Sequence, residues 1–263
     1  MLSSGLKGQR VLVTASSSGI GFGAAKAFLE EGARVIISSS NKTRLDKAQR
    51  ELSPLGEVHQ VPADLRRKED IDRLVDSTVR ILGGIDTLVY VTGSPPPGIF
   101  MEQSYENWED AANLLVVSPA HLARRVADVM LMEGTKGRMV FLASYVIREP
   151  TPNIALSDVC RIAIGGLVRT LGRELAPRGI RVNAILPGFI MTPRVDQLVN
   201  DSSRRKGISE AEALEEFKRQ IPMGYVATPA ELARSIIFLG SDMSPYVTGI
   251  MLAVDGGILR SVG

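Results

Sequence analysis

Short apolar runs rich in β-branched residues alternate along the chain with longer stretches whose apolar positions recur every three or four residues. The runs 10–14, 34–38, 57–61, 87–91, 138–142, 181–186 and 251–254 predict strands. Between them, 20–31, 42–52, 68–82, 105–132, 157–176 and 230–239 carry helical spacing. Strands that alternate with helices predict a mostly parallel sheet covered on both faces, because parallel neighbours need crossover connections. The expected fold is a single doubly wound, Rossmann-like α/β sheet with ligand sites at the carboxyl ends of its strands. The rhythm fails over 194–225, a polar, charged stretch with one helix predicted at 209–219. A connection of that length after a strand end reads as a lid over a substrate.

Composition narrows the picture further. The 263 residues contain no linker-like or repeated segment, so residues 1–263 read as one domain. Net charge is +2, with 31 basic and 29 acidic residues, which gives no field for nucleic acid or an anionic membrane. The runs Arg66-Arg67-Lys68 and Arg204-Arg205-Lys206 read as solvated surface. The one cysteine, Cys160, lies in an apolar helical pattern and predicts a buried thiol, with neither a disulfide nor a cysteine metal cluster. The first ten residues lack the apolar core of a signal peptide, and no apolar run reaches the ~18 residues of a membrane span. A soluble, cytoplasmic protein is expected.

The stretch VLVTASSSGIGFG (11–23) runs from a strand into a turn of small residues that opens a helix. Small residues let the backbone approach a diphosphate, and unpaired helix N–H groups attract the anion. A lone Gly-x-Gly would mean little, but this one lies in the first strand-turn-helix of an α/β chain, the context the chemistry requires.

Over nearly its whole length the chain resembles the short-chain dehydrogenase/reductase family. The family motif Thr-Gly-x-x-x-Gly-x-Gly is matched at Thr14, Gly19 and Gly21, with Ala15 in place of the first glycine. The resemblance implies a nicotinamide dinucleotide held by the turn Thr14, Ser16, Ser17, Ser18, Gly19, Ile20 and Gly21. It puts Asp64 and Leu65 at the adenine, Gly93 after the fourth strand, and Pro187, Gly188 and Thr192 of RVNAILPGFIMTP at the nicotinamide half. VTGIMLAVDGG (247–257) is similar to the family's last strand.

The second strand ends in Ser39, Ser40 and Asn41 with Lys42 and Arg44 following, where an acidic residue would bind a ribose 2′-hydroxyl and favour NAD. Without that carboxylate these donors can hold a 2′-phosphate, and NADP is favoured over NAD. The serines and Asn41 serve equally well to turn the chain and cap the next helix.

The family's reductions use Ser-x12-Tyr-x3-Lys. The serine polarises the carbonyl, the tyrosine gives the proton, and the lysine lowers the tyrosine pKa and holds the ribose. Ser144 matches the serine, but the tyrosine position holds Ser157 and the lysine position Arg161. None of the tyrosines 90, 105, 145, 225 and 246 has a lysine four residues on. The spacing of the enoyl-reductase branch, Tyr-x6-Lys, falls on Ile154. An aliphatic hydroxyl is a far weaker acid than a phenol, and an arginine keeps its charge and relays no proton. The family's Asn-Asn-Ala-Gly is Tyr90-Val91-Thr92-Gly93, and its catalytic asparagine falls at Leu115, with Asn113 two residues away.

Tyr145 could restore an acid, although strand alternation favours a packed aromatic there. Asp158 reads as a first-turn charge. His59 and His121 take no role.

The first reading is therefore an NAD(P)-dependent oxidoreductase acting on a small carbonyl or hydroxyl compound, with Ser144, Ser157 and Arg161 as its divergent centre. The second is a cofactor-binding protein of the same fold, catalytically impaired and regulatory or a partner subunit. Leu198, Val199, Ile208, Leu214, Phe217 and Ile221 of the lid suit a partly apolar substrate, or form the lid's own packing face. The resemblance also implies a homo-oligomer, a tetramer, built on 105–132, 157–176 and the C-terminal strand region.

Overall fold

A computed structural model describes residues 4–261. Its strands are β1 (Arg10–Val13), β2 (Arg34–Ile37), β3 (Val58–Gln60), β4 (Thr87–Tyr90), β5 (Arg138–Leu142), β6 (Arg181–Pro187) and β7 (Met251–Val254). They form one parallel sheet in the order β3-β2-β1-β4-β5-β6-β7. The strands are continuous apolar runs because both faces are covered. Successive residues serve opposite cores. Leu12, Ile36, Leu88 and Phe141 pack against one helical layer, and Val11, Val13, Ile37 and Val140 against the other.

The helices are α1 (Gly19–Glu30), α2 (Lys42–Leu52), α3 (Lys68–Leu82), α4 (Tyr105–Ala112), α5 (Ser118–Glu133), α6 (Ala155–Cys160), α7 (Ile162–Leu175), α8 (Pro193–Lys206), α9 (Glu210–Arg219) and α10 (Pro229–Leu239). The layer with α1, α2 and α10 buries Ala24, Phe28, Leu45 and Ile236; the other, with α3, α5 and α7, buries Leu74, Leu122 and Val168. After β3 the chain crosses to the far side of β1 and adds β4, so the winding reverses there and the carboxyl ends of β1 and β4 open a cleft.

Two predicted helices are interrupted. The one at 105–132 divides into α4, a π-helical turn (Asn113–Val117) and α5. The Ser118 N–H reaches back to the Asn113 carbonyl, and the next residue, Pro119, has no N–H to offer Leu114. The buried Tyr90 hydroxyl takes up that carbonyl at 3.0 Å. The helix predicted at 157–176 begins earlier, at Ala155, and is divided at Arg161. The Arg161 N–H still donates to the Ser157 carbonyl, so both side chains stay on one helical face.

Residues 194–225 hold two helices rather than one. α9 keeps the predicted range and is closed by a capping box, Ser209 with Glu212. The sequence does not announce α8, in which Val195, Leu198 and Val199 stand among mostly polar residues, yet it carries Pro193 in its first turn, three basic residues in its last, and Gly207 in a left-handed conformation beyond. Val199, Ile208, Leu214, Phe217 and Ile221 pack on one another, so most of the apolar residues form this segment's own core. Cys160 is buried, and among the described residues no helix is long and apolar enough to cross a membrane.

Candidate active site

A cleft of about 1640 Å³ opens at the carboxyl ends of the central strands, walled on its outer side by α8 and α9. Its floor is set at the winding reversal. The Thr14 hydroxyl donates to the Val91 carbonyl at 2.6 Å and accepts the Val91 N–H at 2.8 Å, joining the ends of β1 and β4. Ser16 donates to the Val13 carbonyl and accepts the Ser38 N–H, joining β1 to β2. Both side chains are fully buried and do not line the cleft. They hold the turn in shape from beneath.

Above them, Ala15, Ser17, Ser18, Gly19, Ile20 and Gly21 line the cleft. Ala15 occupies the left-handed region with φ 44°, a conformation that costs a residue with a Cβ about 1–2 kcal/mol. At Gly21 a Cβ would come within 2.5 Å of the Ala15 carbonyl oxygen, so only glycine lets α1 begin this close to the turn. The first N–H groups of α1 point into the cleft end without helical partners. Ser18 caps α1 by its backbone alone, which leaves its hydroxyl for a ligand.

Beside the turn, Ser17 donates to the Ser39 hydroxyl at 3.0 Å, and Ser39, Ser40 and Arg44 line the wall with no carboxylate among them. Asn41 is the exception. Its side chain accepts the Arg44 N–H as the cap of α2, and it does not face the cleft. Asp64 and Leu65 line the same end, where the Asp64 carboxylate receives the Arg66 N–H and lies 3.8 Å from its guanidinium.

At the other end, Gly93, Ser144, Ser157, Arg161, Pro187, Gly188 and Thr192 face the cleft together. Ser157 and Arg161 are each only 8% exposed. Arg161 donates to the Gly93 carbonyl at 3.1 Å. Thr192 enters α8 directly against Gly19, where an added Cβ would sit 3.3 Å from its methyl group. Asn113 is turned away, donating to the Arg66 carbonyl, and Leu115 is buried in the core, so neither brings an amide to this end.

Tyr145 is the packed aromatic expected, buried against its neighbours, but it also lines the cleft, which strand alternation does not provide for. β5 ends at Leu142, and Tyr145 opens a 3₁₀ turn that carries it into the cleft. Its ring packs on Phe189, and its hydroxyl meets the Thr151 hydroxyl at 3.2 Å. Burial raises its pKa, and the charges of Asp158 and Glu149 add to the rise. Asp158, in the first turn of α6, accepts the Thr151 N–H with one oxygen, while its other oxygen is buried without a partner. Burial raises this carboxyl group as well.

Sequence reasoning did not single out Thr151, which a loop brings in with no periodic signal, or the inner face of α8. Gln197, Asp201, Arg204 and Arg205 follow helical spacing along that face, and the run 204–206, exposed on the helix as expected, also borders the open cleft. The two histidines pair on the outside, His59 with Glu57 and His121 with Asp72.

A family model described as enoyl-(acyl carrier protein) reductase matches residues 14–259. Glucose 1-dehydrogenase of Gluconobacter oxydans is 33% identical over 95% of this chain and 92% of its own length. Human dehydrogenase/reductase SDR family member 4 is 33% identical over 94% and 86%. The crystal structure of L-sorbose reductase from Gluconobacter frateurii, complexed with NADPH and L-sorbose, superposes with a TM-score of 0.94 at 31% identity, over 99% of this chain and 100% of that one. The chain belongs to the short-chain dehydrogenase/reductase family.

Proposed function

We propose that the protein is an NADPH-dependent reductase of small carbonyl compounds whose centre departs from that of its family, with Ser157 and Arg161 standing where a tyrosine and a lysine would be. The observation that carries this reading is the convergence of Ser144, Ser157 and Arg161 on the cleft whose far end is the glycine turn. The residues fit a dinucleotide. The helix end at Gly19 and the uncommitted Ser18 hydroxyl suit its diphosphate, and Asp64 and Leu65 suit its adenine. Ser39, Ser40 and Arg44, with no carboxylate to repel it, suit a 2′-phosphate. The L-sorbose reductase it resembles was solved with NADPH, which supports the same preference here.

When bound, the nicotinamide would supply the hydride. The chain's own residues do the rest. Ser144 gives a hydrogen bond to the carbonyl oxygen and so favours the charge that develops there. Arg161, anchored on Gly93, holds ribose hydroxyls and adds fixed positive charge, and Ser157 completes the polar wall. Residues 194–225 serve as the substrate lid of a single domain spanning 1–263, with Leu198 and Phe217 offering it an apolar contact.

Calorimetric titration with NADPH and NADH, followed by NADPH oxidation in the presence of L-sorbose, a 3-oxoacyl ester and a ketosteroid, tests the reading. Tighter binding of NADPH and turnover on one of the three is the expected result. Tight binding with no turnover on any of them favours the second reading, a cofactor-bound regulatory or partner protein.

A further inference from the structure

We propose that Tyr145 gives the proton to the substrate oxygen, and that Thr151, held in place by Asp158, returns a proton to Tyr145. The inference rests on the reductase reading above and fills the one role that reading leaves empty. A serine hydroxyl and a guanidinium at 157 and 161 are far weaker acids than a phenol, which is the better group to protonate an alkoxide as it forms.

The five tyrosines leave one candidate. Tyr90 is buried with its hydroxyl committed to the Leu114 carbonyl. Tyr105, Tyr225 and Tyr246 are exposed and do not line the cleft, Tyr225 standing in a smaller pocket on the far side of Phe189 with its hydroxyl on Glu231. Tyr145 lines it, as the residue directly after Ser144. In a strand those neighbours would face opposite ways, but the chain leaves the strand at Leu142 and the turn at Tyr145 brings both side chains to one space. Packing on Phe189, itself a lining residue, fixes the ring plane.

The phenol also has a route for recovering its proton. Its oxygen accepts the Thr151 hydroxyl, and Thr151 lines the open cleft. Thr151 is pinned through its N–H by Asp158, the residue after Ser157, whose other carboxyl oxygen is buried with no partner. The charged groups acting on the phenol are Asp158 on α6 and Glu149 at the end of the turn, and both hold it in the protonated form. The Thr151 hydrogen bond opposes them.

The step balances. Hydride adds to the carbonyl carbon, the C=O π pair moves to oxygen, and that oxygen takes the Tyr145 proton. Thr151 hands its hydroxyl proton to the phenolate only as it takes one from solvent, in one concerted relay, so no threonine alkoxide forms and the proton consumed comes from bulk. The carbonyl becomes an alcohol and NADPH becomes NADP⁺.

The test uses the full chain and two readouts. In single-turnover NADPH oxidation with the same three carbonyl compounds, Tyr145→Phe is expected to lower the rate by about 10²–10⁴-fold, the usual share of a general acid, with NADPH affinity unchanged. Thr151→Val should lose about tenfold and Thr151→Ser should recover it. Independently of turnover, ultraviolet difference titration of the NADP⁺ complex should lose one phenol in Tyr145→Phe, and that phenol should titrate at lower pH in Asp158→Asn. An active wild type with an undiminished Tyr145→Phe rate overturns this inference and leaves the reductase reading standing. A wild type that binds NADPH and reduces none of the compounds overturns both. A Tyr145 titration unmoved by Asp158→Asn removes Asp158 from the arrangement.

Discussion

Arg161 donates to the carbonyl oxygen of Gly93 across 3.1 Å, tying the helical segment that carries Ser157 to the loop after β4. Four residues earlier, Ser157 lies on the same face, and both face the cleft. On the proposed reading these two positions are the frame for a phenol and an ammonium group. Ser157→Tyr with Arg161→Lys should supply them. In a Tyr145→Phe background the pair is expected to raise carbonyl reduction by about 10²–10⁴-fold, measured as NADPH oxidation alongside NADPH affinity. No gain with affinity intact would show that the cleft does not orient a phenol at 157.

The phosphate turn holds a strained alanine against an obligatory glycine. Ala15→Gly should relieve the left-handed strain and, after the extra chain entropy of glycine, stabilise the protein by about 0.5–1 kcal/mol in denaturant unfolding. Gly21→Ala should cost about 1–3 kcal/mol and abolish NADPH binding, because its Cβ would meet the Ala15 carbonyl oxygen at 2.5 Å.

Cofactor choice should follow charge at the end of β2. Ser39→Asp sets a carboxylate against the 2′-phosphate and offers an acceptor to a 2′-hydroxyl. NADPH should bind at least about tenfold more weakly and NADH more tightly, as read by calorimetry. Equal losses for both cofactors would mean that Ser39 only shapes the turn.

Arg10 and Asp86 lock the amino end of β1 to the start of β4, with contacts of 2.8 and 3.0 Å. Burial pushes the Asp86 carboxyl up, but the Arg10 hydrogen bonds and charge outweigh it, and the pKa ends below the usual value. A lowered folded pKa means stability that is present above the unfolded value, about pH 4, and is lost as pH falls through the folded one. Asp86→Asn should cost about 1–3 kcal/mol at neutral pH and flatten the acid side of the stability profile below about pH 4. An unchanged profile would place the acid sensitivity elsewhere.

A homotetramer is expected in solution. Val117, Val159 and Ile162 are 57%, 56% and 54% exposed on the stretches 105–132 and 157–176, where the family resemblance implies subunit contacts, and Tyr246 stands fully exposed near β7. Light scattering at micromolar concentration should give four times the chain mass of 28.4 kDa. A monomeric mass would refute it.

Much of the fold was legible because a parallel sheet buries its strands on both faces and so writes them as unbroken Val, Ile and Leu runs, as in Val11–Val13 and Val35–Ile37. The turn at Gly19 and Gly21 was legible for a similar reason, since close approach of helix and strand excludes every other residue at Gly21. Ser144, Ser157 and Arg161 line one cleft, because the last two lie on one helical face and the first follows the end of β5. Tertiary structure decided the rest. Thr14, Ser16 and Asn41 stand in the same short segments as the lining residues, yet they turn their polar atoms to the backbone beneath. The polar helix α8 forms because Val195 and Val199 find Ala213 and Ile221 across the lid, contacts no local pattern announces. Tyr145 reaches the cleft because the chain leaves the strand three residues before it, and Thr151 meets it because a loop closes six residues later. Local periodicity fixes which side of an element a residue takes. Where an element ends, and what a loop carries back to it, is set by packing between parts of the chain far apart in sequence.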